Sequence, residues 1–133
     1  MTKLILVVLA IVTIAANTSN AEGNEIKNSA IESLIMGINC DNFGLRTSAA
    51  YMLGELKCEK GVIPLMRMLK SEDREDARIV AALALLKIGN AKGIFAIKQA
   101  IRFDESERVQ KLCAAFYQAF YNQSKDSIGL AVK

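Results

Sequence analysis

From Ile31 onward the apolar positions recur at three- and four-residue spacing, and no alternating stretch is long enough to make a strand. Ile31, Leu34, Ile35 and Ile38 fall on one helical face. Val62, Leu65, Met66 and Leu69 repeat the pattern, and Ile94, Ile97 and Ile101 repeat it again. Between these three A helices lie three B helices, with stripes at Leu45, Ala49, Met52, Leu53 and Leu56, then Ala77, Ala81, Ala84, Leu85 and Ile88, then Val109, Leu112, Cys113, Phe116 and Phe120. The pattern predicts an all-α chain of three helix pairs over about residues 25–57, 61–88 and 91–121. Each pair carries an apolar stripe that it cannot bury alone, so the pairs must stack.

The B helices are related by a fixed step. Arg46, Arg78 and Gln110 stand thirty-two residues apart, each followed by a pair of small residues: Ala49-Ala50, Ala81-Ala82 and Cys113-Ala114. Alanines here let neighbouring helices approach closely. The turns Lys57–Gly61 and Gly89–Gly93 close B helices and offer glycine for a left-handed C-terminal residue. The segments Asn39–Asn42, Ser71–Arg74 and Asp104–Glu107 are placed to supply N-cap oxygens and first-turn carboxylates to the B helices. Pro64 lies in the first turn of an A helix, where its missing N–H costs little. Residues 122–133 show no periodic face and read as a loose tail.

Asp41 to Gly54 and Asp73 to Leu86 resemble the D-x-x-V-R-x-x-A-A-x-A-L-G signature of phycobilisome-lyase-type HEAT repeats, and Gly61 to Leu69 resembles that family's A-V-P-x-L-x-x-L-L helix. The resemblance implies a short α-solenoid, an alpha-alpha superhelix of three HEAT-like pairs, whose B-helix face serves protein binding or assembly. It also implies turn-stapling pairs of Asp41 with Arg46 and Asp73 with Arg78. Gln110 departs from the pattern, as do Leu86 and Gln118 at the positions equivalent to Gly54, and these departures mark the third repeat as an end unit.

Ahead of the repeats, Lys3, the apolar run Leu4 to Ala16 and the small residues Ser19 and Ala21 have the anatomy of a secretory signal peptide over residues 1–21. The run is too short for a bilayer span of about 20 residues. Export to a periplasmic or secreted location is therefore expected, the alternative being an uncleaved membrane anchor. Charge is nearly balanced, 17 Lys and Arg against 14 Asp and Glu, and the scattered basic residues argue against nucleic acid.

Chemistry adds little. Histidine is absent, the three cysteines Cys40, Cys58 and Cys113 are far apart in sequence, and no Gly-rich phosphate loop opens a helix, so neither catalysis, cofactor nor metal site is expected. Cys40 and Cys58 fall at opposite ends of one helix, beyond the reach of a disulfide, and Cys113 occupies a packing position held by alanine in the other repeats. The acidic group Glu72, Asp73, Glu75 and Asp76 reads as a helix start.

The expected function is a non-catalytic exported scaffold that holds an unidentified protein or peptide on the B-helix face. The alternatives are a chromophore-lyase-like or other enzyme accessory factor, and a structural component that self-associates through the solenoid ends. Candidate partner-binding residues are Arg46, Arg78 and Gln110, together with Tyr117 and Tyr121 in the aromatic-rich last third.

Overall fold

The computed structural model describes residues 23–25 and 27–131. The predicted export segment over residues 1–21 lies outside them. Residues up to Ser33 belong to one compact unit and those from Leu34 onward to a second. In the first unit the described residues are helical, and Ile31 is buried.

The described residues are helical with no strand. Helix α1 is described over residues 23–25 and 27–38, and α2 spans Phe43–Glu55. A short 3-10 turn, Glu59–Gly61, leads into α3, Val62–Ser71. Then follow α4, Glu75–Ile88, α5, Ala91–Phe103, and α6, Glu107–Ala131. In the second unit α2, α4 and α6 pack in series, α3 packs on both α4 and α5, and α5 packs on α4 and α6. The core lies between these layers. Leu53, Leu65, Leu85, Ile97, Val109 and Cys113 are its largest fully buried side chains, with Ala49, Ala50, Ala81 and Ala82 at the close approaches.

The helix boundaries follow local chemistry. Asn42 Oδ1 accepts from the Leu45 N–H at 3.0 Å, and Ser106 Oγ accepts from the Val109 N–H at 3.3 Å, so α2 and α6 have side-chain N-caps. The segment before α4 differs from expectation. Arg74 occupies its cap position without a side-chain bond. Glu72 is drawn away to another helix, and Glu75 and Asp76 in the first turn are left to complement the helix dipole.

At the C-termini, Gly89 adopts the expected left-handed conformation at φ 71°. The equivalent position thirty-two residues earlier is not glycine but Lys57, at φ 48°, while Gly61 has an ordinary helical backbone. The repeat thus preserves the backbone bend and loses the residue that adopts it without strain.

The chain end also departs from the expected loose tail: α6 continues through residues 122–131, with Ser124 and Ser127 hydroxyls donating to the carbonyls of Phe120 and Gln123, both at 2.9 Å.

Candidate functional site

Arg46 and Arg78 leave the second turn of α2 and of α4 in the same geometry. Arg46 Nη1 donates to the main-chain carbonyls of Cys40 at 3.1 Å and Asp41 at 2.9 Å, while Nε and Nη2 grip the Glu72 carboxylate at 2.9 and 3.1 Å. Arg78 Nη1 donates to the carbonyls of Glu72 at 2.7 Å and Asp73 at 3.0 Å, while Nε and Nη2 grip Asp104 at 3.0 and 3.1 Å. In both cases the carboxylate lies twenty-six residues beyond the arginine. Gln110 takes the third place and donates to the Asp104 carbonyl at 2.7 Å.

The result is a relay that passes from one helix pair to the next. Glu72 receives Arg46 on its carboxylate and Arg78 on its carbonyl. Asp104 receives Arg78 on its carboxylate and Gln110 on its carbonyl. Each planar guanidinium satisfies two turn carbonyls and one carboxylate, a fork geometry that lysine cannot reproduce.

Burial grows along the relay. The side chains of Arg46 and Glu72 are 19% and 17% exposed, and those of Arg78 and Asp104 only 4% and 6%. Asp104 Oδ1 also accepts from the Ser106 N–H at 2.9 Å, and every buried side-chain nitrogen or oxygen among the described residues has a partner.

This corrects the pairing implied by the family resemblance. Asp41 and Asp73 offer their carbonyls to the arginines, and the ion pairs go to Glu72 and Asp104. A side chain that must bond its own turn and an adjacent pair at once is directed outward to the neighbour. It also buries Arg78, while Arg46 keeps part of its side chain in solvent.

Further ion pairs cross between helices at the surface. Lys87 on α4 pairs with Glu55 on α2, and Arg108 on α6 meets Asp76 on α4 at 3.0 Å, each thirty-two residues apart. Lys87 also sits 4.8 Å from the centre of the Tyr51 ring, and the Arg74 guanidinium lies 3.7 Å over Phe43. The acidic group is therefore dispersed: Glu72 binds Arg46, while Glu75 and Asp76 face Arg108.

The remaining candidates do not join this relay. Tyr117 is half-buried with Lys98 Nζ 5.8 Å from its ring centre, and Tyr121 is exposed. Phe116 and Phe120, expected to fill the core, are only half-buried, because Val109 and Cys113 close it further in.

The three cysteines are free thiols. Burial, with the Asp104 charge adding, pushes Cys113 from 9.0 up to about 11. In the unfolded chain the thiol ionises near its ordinary value, so this stabilising contribution is complete below about pH 9 and disappears as pH rises toward 11. The stability gap between the wild type and Cys113→Ala in urea unfolding should therefore shift against the wild type by about 2–3 kcal/mol across that window. A gap independent of pH would contradict the buried thiol.

The sequence reading missed the surface of α3 and α5. Ile63, Phe95 and Phe103 are 53%, 60% and 73% exposed, and a groove of about 500 Å³ runs between the two helices, lined by Met66, Leu69, Lys70, Phe95, Ala96 and Phe103 among others. These aromatic residues fall outside the apolar stripes used to place the helices. The available signal was charge: Arg67, Lys70, Lys92, Lys98 and Arg102 are the only charged residues on α3 and α5.

No protein-family model matches the chain, and no curated protein matches its sequence.

Proposed function

We propose that this chain is a non-catalytic scaffold of the HEAT-like α-solenoid type, exported by its N-terminal segment, that holds a protein partner. The carrying observation is the constant register of the bonds between helices: carboxylates twenty-six residues beyond Arg46 and Arg78, and surface ion pairs at thirty-two. A structural unit repeated at fixed sequence distance makes equivalent contacts at equivalent positions. Such a framework holds surfaces at defined spacing without enclosing a reaction.

The relay also bears on the self-association alternative. Cys40 stands where the later repeats carry Glu72 and Asp104, and Gln110 stands where the earlier ones carry arginine. A second copy added end to end would meet a thiol in place of the relay carboxylate at the first turn and an amide in place of the guanidinium at the last. This favours a monomeric adaptor over a polymer.

Affinity capture on the purified, immobilised chain from an exported fraction, followed by cross-link mapping, tests the proposal. A reproducible protein partner cross-linked to described helix surfaces is expected, and replicate captures without one would count against the scaffold.

A further inference from the structure

The cations of α2 to α5 are sorted by layer. On α2 and α4, Arg46, Arg78 and Lys87 are each engaged by a carboxylate. On α3 and α5, Arg67, Lys70, Lys92, Lys98 and Arg102 are all exposed, and none makes an ion pair among the described residues. Neither helix carries an acidic residue. Unneutralised positive charge therefore collects on the same two helices that display Ile63, Phe95 and Phe103.

The groove between them has a defined form. Leu69 is buried, Met66, Ala96 and Ala100 are half-buried, and Phe95 and Phe103 stand exposed above them. The two phenylalanines are eight residues apart on α5, about 12 Å of helical rise. Two turns of a helix match that length and can insert apolar side chains at successive turns over the small residues Ala96 and Ala100. Asp104 at one end of the groove is already held by Arg78 and Ser106, so it leaves the positive field open.

We infer that the α3/α5 groove docks a short acidic amphipathic helix of a partner protein, its apolar side chains between Phe95 and Phe103 and its carboxylates against Lys70 and against Arg102, whose guanidinium lies 5.8 Å from the Phe103 ring centre. This rests on the scaffold reading and names the surface that reading uses, moving it from the B helices to the A helices. Charge complementarity selects an acidic occupant. The recess selects a helix over an anionic bilayer, since a lipid surface resting on the two phenylalanines would leave half-buried Met66, Ala96 and Ala100 uncovered.

Fluorescence anisotropy with a labelled synthetic helix of about four turns, leucine on one face and glutamate on the other, tests the site on the purified chain. Saturable binding that weakens with salt is expected. Lys70→Glu combined with Arg102→Glu should weaken it at least about tenfold, as should Phe95→Ser combined with Phe103→Ser. All four side chains are exposed, so circular dichroism and the melting temperature should stay unchanged. Equal binding of the same peptide with lysine in place of glutamate, unchanged affinity in the charge-reversed variant, or binding to phosphatidylglycerol vesicles instead of the peptide would overturn the inference. Failure of the peptide alongside a captured partner cross-linked to α2 or α4 overturns this site and leaves the scaffold standing. No captured partner at all removes the reading on which it rests.

Discussion

Replacing Arg78 with alanine should cost about 3–5 kcal/mol, the range for breaking a buried ion pair by removing one member. Three consequences combine. Asp104, 6% exposed, loses both bonds to its countercharge and retains the Ser106 N–H as a donor to its carboxylate. The carbonyls of Glu72 and Asp73 lose their shared donor. The space left by the guanidinium is closed to bulk solvent, because Arg78 is itself buried. For a domain near one hundred residues this corresponds to a fall in melting temperature of more than about 12 °C, measurable by circular dichroism. Arg78→Lys should recover only part of the loss, since an ammonium cannot span two carbonyls and a carboxylate in one plane. The equivalent Arg46→Ala should cost less, because Arg46 and Glu72 are both partly solvated.

Gly54→Ala should destabilise by about 1–3 kcal/mol, although alanine is the better helix former by about 1 kcal/mol. A Cβ at Gly54 would lie 2.7 Å from Ala84 Cα and 2.9 Å from Ala84 Cβ. One of these is backbone, so relief requires α2 and α4 to separate. Gly54→Leu, which copies the residue at the equivalent position Leu86, should leave little native protein. Adding Ala84→Gly to Gly54→Ala removes the Cβ clash but not the Cα clash, and should restore stability only in part. A melting temperature unchanged or raised by Gly54→Ala would mean that the two helices are not this close.

These two positions show what was legible and what was not. Arg46 and Arg78 announced themselves by sequence spacing, but their carboxylate partners did not, because Glu72 and Asp104 come within reach only once successive helices are packed. Asp41 and Asp73, five residues before each arginine, were the closer partners in sequence, yet only their carbonyls lie in the guanidinium plane. Helices α3 to α5 were readable because burial imposes a period on their side chains. The end of α6 was not, since residues 122–131 are exposed apart from half-buried Ser124 and are helical through local bonds alone.

The α3/α5 face was hidden for a related reason. Apolar periodicity finds the side of a helix that is buried, and Ile63, Phe95 and Phe103 lie on the other side. A charge reading by element, with every ionised residue of α3 and α5 positive, would have pointed there.

A double-mutant cycle on Arg78→Met and Asp104→Leu, measured by urea unfolding, tests most directly whether the guanidinium relay joins one helix pair to the next. Each single change should be strongly destabilising, because it leaves a buried charge alone, and the pair together should cost at least about 2 kcal/mol less than their sum, because the double variant leaves neither charge. Additive effects would contradict the relay and, with it, the fixed spacing on which the proposed scaffold depends.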